Sequence, residues 1–384
     1  MRVVQVVSSL CTGGAERVAM ALAGELTRRG HEVALVSLEE PPDGALLEPA
    51  QALGLEVVRV GKRPGGVDVG LIARLARLFK DRGPDVVHTH NALALLYAAP
   101  PARLRGARVV HTAHGPDGDR ALRIALRRAA AGLVHAFVAV SEQTADFCKR
   151  AGSVDASRVR VVPNGVACPI GPRDRSALRH AVRARLGLAD DALVVGTVGR
   201  MVPVKNHALL VEAVAPLLTG SRHLVVAGDG PVRAATEALA TRLGVAERCR
   251  FPGATSDPGG IVAAIDLFVL TSDAEGLPLA LLEAMRAGVP AIATAVGGVA
   301  EVIERDLSGW LVPPGELRAL RRALAVALDQ PELRASVADR GRERIEQRHS
   351  LERMADRYLA LYRGIDETRV SGRRAGAAVE AARA

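Results

Sequence analysis

Short β-branched runs alternate along this chain with longer amphipathic stretches, and the alternation is completed twice. Strands separated by helix-length segments read as a parallel sheet covered by helices. In the first half the strands are expected near residues 3–8, 33–38, 57–60, 86–90, 109–113, 136–140 and 159–162. The second half repeats the scheme near 194–198, 223–227, 250–251, 267–270, 291–294 and 311–312. Between them lies V-V-P-N-G-V-A-C-P-I-G-P-R-D-R, residues 161–175, whose Pro and Gly content reads as a hinge. The expected organisation is an α/β chain of two doubly wound domains, residues 1–170 and 190–347, facing a central cleft. Ligands of open α/β sheets bind at the carboxyl ends of the strands, so those ends are expected to open on that cleft.

Size agrees with two cores, since 384 residues are long for one. Hydrophobic residues at 49% and charged residues at 24% describe a globular chain. Runs of about eighteen apolar residues are absent, and the start, M-R-V-V-Q-V-V-S-S-L, reads as a first strand without a cleavage pattern. Cys11, Cys148, Cys168 and Cys249 are scattered without metal-ligand spacing, which points to reduced thiols in the cytosol. A net charge of +9 suits anionic partners such as nucleotide diphosphates or an acidic membrane surface. With aromatic residues at 2% there are few stacking platforms, and no nucleic-acid partner is expected.

Glu275 and Glu283 bracket E-G-L-P-L-A-L-L-E. Pro278 suits a first helical position, so a helix is expected to begin near Leu277 or Pro278, with Glu275 in the preceding loop and Glu283 further along the helix. Free amides at a helix start favour phosphate, and carboxylates accept from hydroxyls. Phosphate beside hydroxyls is the outline of a nucleotide sugar.

This segment resembles the E-x7-E motif of retaining glycosyltransferases with the GT-B fold, particularly family four. The likeness is strongest over E-G-L-P-L-A-L-L-E-A-M-R-A-G-V-P, residues 275–290, and extends more weakly over nearly the whole chain. It implies two Rossmann-like domains, an acceptor domain and a donor domain, with a helix at about 348–366 crossing back onto the first. Residues 367–384 read as a flexible tail.

Further motifs fit the resemblance. Gly13 and Gly14 in T-G-G-A-E follow the first strand, where glycine lets backbone amides approach a phosphate. The run is not G-x-G-x-x-G, so a dinucleotide dehydrogenase is not supported. V-G-T-V-G-R-M-V-P-V-K-N-H carries Arg200 and Lys205 in a post-strand loop and is similar to the family pattern G-R-x-x-x-x-K-N. Cations there neutralise a diphosphate through charge-assisted bonds. Gly228 and Gly230 in A-G-D-G-P, Phe251 in F-P-G, and Gly297 in G-G-V-A-E each follow a strand and are implied to line the donor site. Gly276, Leu277 and Leu279 are implied to hold the donor around the helix start.

Four histidines, His88, His90, His111 and His114, lie at strand ends of the first half. His-x-His without a carboxylate cluster does not make a metal site. His114, followed by Gly115, is similar to the family's cleft histidine near sugar and acceptor; the plainer reading is a histidine bonded to a backbone carbonyl. Asp117-Gly118-Asp119 imitates a D-x-D motif that belongs to a different fold and reads as loop carboxylates near the acceptor. In R-A-L-R-I-A-L-R-R, Arg120, Arg123 and Arg127 are expected on one helical face, opposite Leu122, Ala125 and Leu126, a surface suited to anionic lipid or to water.

The resemblance therefore implies retaining, metal-independent transfer of a sugar from a UDP- or GDP-linked donor to a glycan, lipid-linked or small-molecule acceptor, with no cofactor. Arg200 and Lys205 are expected to stabilise the departing diphosphate, Glu275 to orient a sugar hydroxyl, Glu283 to hold the ribose diol and His114 to position sugar or acceptor. Competing readings are a GT-B nucleotide-sugar epimerase or hydrolase, and a non-catalytic nucleotide-sugar binding module. A cytoplasmic location is expected, with peripheral contact at the inner membrane face as an extension of the Arg-rich helix.

Overall fold

The computed structural model describes residues 1–11, 13–39, 46–63, 66–115, 121–167, 172–255 and 257–364. Asp117, Gly118, Asp119, Arg120 and the expected tail at 367–384 lie outside the described residues. Contacts divide the chain into two units. One comprises Met1–Val140, Ala145–Val162 and the C-terminal stretch from Leu351; the other comprises Ser141–Thr144 and Pro163–Ser350.

In chain order the first unit contains β1 (Arg2–Val7), α1 (Gly14–Arg28), β2 (Glu32–Ser37), α2 (Leu47–Ala52), β3 (Glu56–Arg59), α3 (Val69–Arg82) and β4 (Val86–His90). It continues through α4 (Asn91–Leu104), β5 (Arg108–Ala113), α5 (Ala121–Ala131), β6 (Ala136–Ala139), α6 (Glu142–Arg150, of which the residues from Ala145 belong to this unit) and β7 (Val159–Val161). Its sheet is parallel throughout, in the order β3-β2-β1-β4-β5-β6-β7. The chain reverses its direction of winding between β1 and β4, so the crevice at their carboxyl ends is the topological switch point.

Alternation along β1 decides what each face of this sheet meets. Val4 and Val6 join Val87 and Val109 in a core with Leu71, Leu75 and Phe79 of α3 and Ala98 of α4. Side chains two residues apart share a face, so Gln5, between Val4 and Val6, points the other way. That face receives α1 and the last described helix, Leu351–Arg363, which contacts α1 and β5. Local signals set the helix ends: the Asp68 carboxylate accepts from the Leu71 amide at 3.0 Å to start α3, and Gly83 in the left-handed region ends it.

The second unit contains α7 (Pro172–Arg185), β8 (Leu193–Val198), α8 (His207–Val214), β9 (Arg222–Ala227), α9 (Arg233–Arg242), β10 (Cys249–Gly253) and α10 (Pro258–Ala264). After these come β11 (Leu267–Leu270), α11 (Leu279–Arg286), β12 (Ala291–Thr294), α12 (Val299–Val302), β13 (Trp310–Val312), α13 (Leu317–Asp329) and α14 (Pro331–Arg348); α15 (Leu351–Arg363) returns to the first unit. The sheet order β10-β9-β8-β11-β12-β13 is again parallel and again reverses beside its first strand, between β8 and β11. Two Rossmann-like parallel-sheet units are thus present, as expected. The largest departure among the strands is β10, which runs Cys249–Gly253 where 250–251 was expected.

Two local expectations are corrected. Pro278 is not the first residue of its helix but the residue before it, with ψ 119°, and α11 starts at Leu279. On α5 the buried stripe is Arg127, Ala130 and Ala131, while Leu126 is 49% exposed. Small alanines at i+3 and i+4 let the helix lie close to the core, and this carries Arg127 inward rather than onto a basic outer face. Among the described residues no helix is long and apolar enough to cross a membrane.

Candidate functional site

In the second unit the loops leaving β8 and β11 meet at the switch point. The first carries Arg200, Lys205 and Asn206; the second carries Thr271, Ser272 and Glu275. Asn206 adopts φ 47°, in the left-handed region that asparagine tolerates better than most residues. Its side-chain oxygen accepts from the Leu209 amide at 3.3 Å to begin α8, and its amide donates to Asp273 at 3.1 Å. The Thr271 hydroxyl lies 3.0 Å from the Lys205 carbonyl and 2.9 Å from that of Asn206. Asp273 N donates to Val204 O at 2.8 Å. These bonds sew the loops into one rigid edge.

Lys205 and Glu275 face each other across that edge. Lys205 Nζ lies 2.5 Å from Glu275 Oε1, and the Ser272 hydroxyl donates to the same oxygen at 2.6 Å. The side chains are 23% and 9% exposed, so the pair is largely withdrawn from water. His207, two residues after Lys205, is buried, and burial together with the Lys205 charge lowers it to about 4, which keeps it neutral at physiological pH. A fixed ammonium held by a fixed carboxylate can meet an anion on one side and hydroxyls on the other.

The surrounding glycines explain how the backbone closes on this pair. Gly297 has φ +55°, and a Cβ there would lie 2.0 Å from the Glu275 carbonyl. Its neighbour Gly298 donates to Gly276 O at 2.7 Å, fixing the loop before α11. Leu277 and Leu279 are buried, with the Leu277 carbonyl held by Asn164 Nδ2 at 2.9 Å. Glu283 is partly buried on the second turn of α11. Arg200 is exposed, and the next residue, Met201, donates its amide to Asp229 O at 2.8 Å. A Cβ on Gly228 would sit 1.8 Å from Gly199 O and one on Gly230 2.4 Å from Met201 O, so both glycines let the loops after β8 and β9 touch. The Phe251 carbonyl accepts from Arg233 Nη2 at 2.9 Å, and that guanidinium also engages Glu237 and Asp229.

At the start of α1 in the first unit, Gly13 is the residue before the helix, and a Cβ on it would lie 2.0 Å from Glu16 Oε2. The Glu16 carboxylate therefore already folds over the loop proposed for phosphate, whereas Gly14 has open space around it.

At the first unit's switch point His114 follows β5 and its Nε2 lies 2.9 Å from His90 Nδ1, so it bonds to a second histidine rather than to a backbone carbonyl. His90 Nε2 lies 2.7 Å from Gln5 Oε1, and Gln5 Nε2 donates to Tyr362 Oη at 3.1 Å. Tyr362 Oη is 2.6 Å from His88 Nδ1, whose Nε2 is 2.7 Å from Thr112 Oγ1. Thr112 Oγ1 meets Tyr358 Oη at 2.9 Å. Burial, reinforced by neighbouring histidines, pushes His88 and His90 well below the usual histidine range, and burial lowers His111 and His114 to about 3. All four are neutral at pH 7.

Of the residues singled out from sequence, the structure brings Lys205, Glu275, Gly276 and Gly297 into one locus and places Arg200, Gly228 and Gly230 on touching loops beside it. Sequence reasoning missed Ser272, Thr271 and Asn206, although S-D-A-E and the Asn after Lys205 were signals of a carboxylate and a helix start that needed partners. It also missed Gln5, a polar residue inside the strand R-V-V-Q-V-V. Among the described residues no group of three His, Cys, Asp or Glu side chains is arranged to hold a metal ion.

Comparison with known proteins places both halves. Residues 12–168 match the family model Glycosyltransferase Family 4, and residues 179–344 match Glycosyl transferases group 1. The chain is 28% identical over 387 residues to a D-inositol 3-phosphate glycosyltransferase of Saccharomonospora viridis, covering 91% of this chain and 89% of that protein. It is 32% identical over 254 residues to an alpha-D-kanosaminyltransferase of Streptomyces kanamyceticus, covering 65% and 64%. Among solved structures, Anabaena Alr3699/HepE in complex with UDP-glucose superposes with a TM-score of 0.82 at 22% identity, over 95% of this chain and 100% of that one.

Proposed function

The chain belongs to the group 1 and family 4 glycosyltransferases, and from that premise we propose that it transfers a sugar from a nucleoside-diphosphate donor, UDP- or GDP-linked, to an acceptor hydroxyl with retention of configuration. The second unit holds the donor and the first presents the acceptor. The observation that carries the proposal is the Lys205–Glu275 pair at the second unit's switch point. As the glycosidic bond breaks, negative charge grows on the diphosphate oxygen. An ammonium already oriented by a carboxylate stabilises that charge without reorganising in the transition state. Arg200, exposed five residues before Lys205 on the same loop, adds a second cation.

Glu275 has one oxygen engaged by Lys205 and Ser272. Its remaining acceptor capacity is assigned to a sugar hydroxyl, and Glu283 is assigned to the ribose diol. Amides at the start of α11 are assigned to phosphate. Charge neutralisation by Lys205 and Arg200 makes a metal ion unnecessary for leaving-group departure. The reaction is placed in the cytoplasm, and the acceptor is an envelope glycan, a lipid-linked saccharide or a small natural product such as an aminocyclitol. Contact with an anionic membrane rests on Arg128 and the exposed Leu126 of α5, since Arg127 is withdrawn.

The purified chain, offered a panel of UDP- and GDP-sugars with and without acceptor pools, is expected to release nucleoside diphosphate in an acceptor-dependent way and in the presence of a chelator. The anomeric configuration of the product decides retention. Donor consumption without any acceptor would favour an epimerase or hydrolase, and binding without turnover a non-catalytic module. Salt-sensitive adsorption to anionic vesicles tests the membrane contact.

A further inference from the structure

The hydrogen-bonded chain in the first unit has a direction, and one amide sets it. Gln5 is buried, its Oε1 facing His90 and its Nε2 facing Tyr362. An amide oxygen only accepts, so His90 Nε2 must carry the proton it donates. Burial keeps His90 neutral, which leaves its Nδ1 as an acceptor. The bond to His114 then requires the proton on His114 Nε2. His114 is left with an unprotonated Nδ1. On the other side Gln5 donates to Tyr362, and because the buried Tyr362 O–H needs an acceptor of its own we assign its proton to His88 Nδ1, which puts the His88 proton on Nε2 facing Thr112. Turning the Gln5 amide over would reverse each of these bonds and put the protons of all three histidines on Nδ1.

We infer that Gln5 and His90 are positioning residues that set the tautomer of His114, so that its Nδ1 presents a lone pair to a hydroxyl of the acceptor or of the transferred sugar. The inference rests on the assignment of His114 to that role. It also accounts for a polar side chain at the centre of an apolar strand and for two tyrosines of α15 being buried against the same face. A buried network of this kind persists because each member satisfies another. Gln5 and Tyr362 are 357 residues apart in sequence, so the far end of the chain locks the amide that orients the histidine.

Histidine tautomers are read directly by long-range nitrogen–proton correlation on the full chain labelled with nitrogen-15 histidine. At pH 7, His88, His90 and His114 are all expected as the Nε2–H form; Nδ1–H at His114 would overturn the assignment. Gln5→Glu places a carboxyl that burial keeps protonated, so its carbonyl accepts from His90 and its O–H donates to Tyr362 as the amide does. It is expected to keep His88, His90 and His114 as Nε2–H. Gln5→Leu releases both arms, and kcat/KM for transfer is expected to fall about 5- to 10-fold through loss of one oriented hydrogen bond. Nucleoside-diphosphate affinity, a property of the second unit, should be unchanged. Gln5→Glu should transfer at within about twofold of the wild type, since both bonds made by the amide are kept. An unaltered His114 tautomer in Gln5→Leu with unaltered kcat/KM would refute the inference, and the wild-type and Gln5→Glu spectra decide it even if Gln5→Leu does not fold. If the wild-type chain transfers no sugar, the glycosyltransferase reading fails while the spectra still report the tautomer.

Discussion

Replacing Lys205 by methionine keeps the unbranched stem as far as Cε and removes the ammonium, and two consequences of different size follow. The first is structural. Glu275, 9% exposed, loses an ammonium at 2.5 Å and keeps only the Ser272 hydroxyl on that oxygen. Breaking a fully buried pair costs about 3–5 kcal/mol and an exposed one about 0.2–1 kcal/mol. With Lys205 itself 23% exposed, a cost of about 2 kcal/mol is expected. For a unit of this size that lowers Tm by about 4–8 °C. The second is catalytic: removing one preorganised donor from a developing charge costs about 10²–10³ in kcat. Combining Lys205→Met with Glu275→Gln separates them. The double variant leaves no unpaired charge, so its stability should return to within about 1 kcal/mol of wild type, whereas turnover should stay low. Thermal unfolding and turnover at saturating donor are the measurements. Recovery of turnover in the double variant would mean that Lys205 serves only to neutralise Glu275, and normal turnover in Lys205→Met would remove the leaving-group role altogether.

Three further outcomes are expected. Glu283→Ala should raise the KM for donor at least about tenfold, the value of a charge-assisted hydrogen bond, with kcat little changed; a selective fall in kcat would reassign this carboxylate. At Asn206, alanine should destabilise the second unit by about 2 kcal/mol, through the left-handed φ and the lost cap of α8, while glycine costs less; chemical denaturation should rank alanine below glycine, the reverse of helix propensity. Acid should destabilise the first unit early. His111 and His114 stay neutral in the fold down to about 3 but take up protons near 6.5 when unfolded, so the unfolded state binds more protons and stability falls as pH drops from about 6.5 towards 3. Between pH 7 and 5.5 the two together should remove at least about 2 kcal/mol, and a flat profile over that range would contradict their neutrality.

The strands are readable because β-branched runs of this kind are short, apolar and flanked by turn residues, and a parallel sheet buries both faces. For the same reason Lys205 and Glu275 are recognisable as residues leaving strand ends. Their direct pairing is not recognisable, since 70 residues separate them and only the adjacency of β8 and β11 in the sheet brings them together. Local rules also lose to packing. Pro278 suits a first helical position by propensity, yet its ψ of 119° leaves it before the helix. Helical periodicity around Arg127 places a charge outward, but Ala130 and Ala131 are the side chains small enough for close approach, and Arg127 turns inward with them. The sequence favours His114 as a cleft histidine and leaves a carbonyl-bonded histidine as the alternative; its bond to His90, and through it to Gln5 and Tyr362, is visible only in the fold.

The return of α15 to the first unit bears on how the protein is made. Tyr358 and Tyr362 close the face of the sheet that carries Gln5, His88 and Thr112, and they are among the last described residues to leave the ribosome. Throughout translation of the entire second unit that polar face lacks its lid, so the N-terminal half must wait, incompletely sealed, for α15. Ribosome-bound chains ending before Leu351 should accordingly keep the histidine-bearing face open to solvent, and the nascent protein acquires its finished N-terminal half only after synthesis of the C-terminal one.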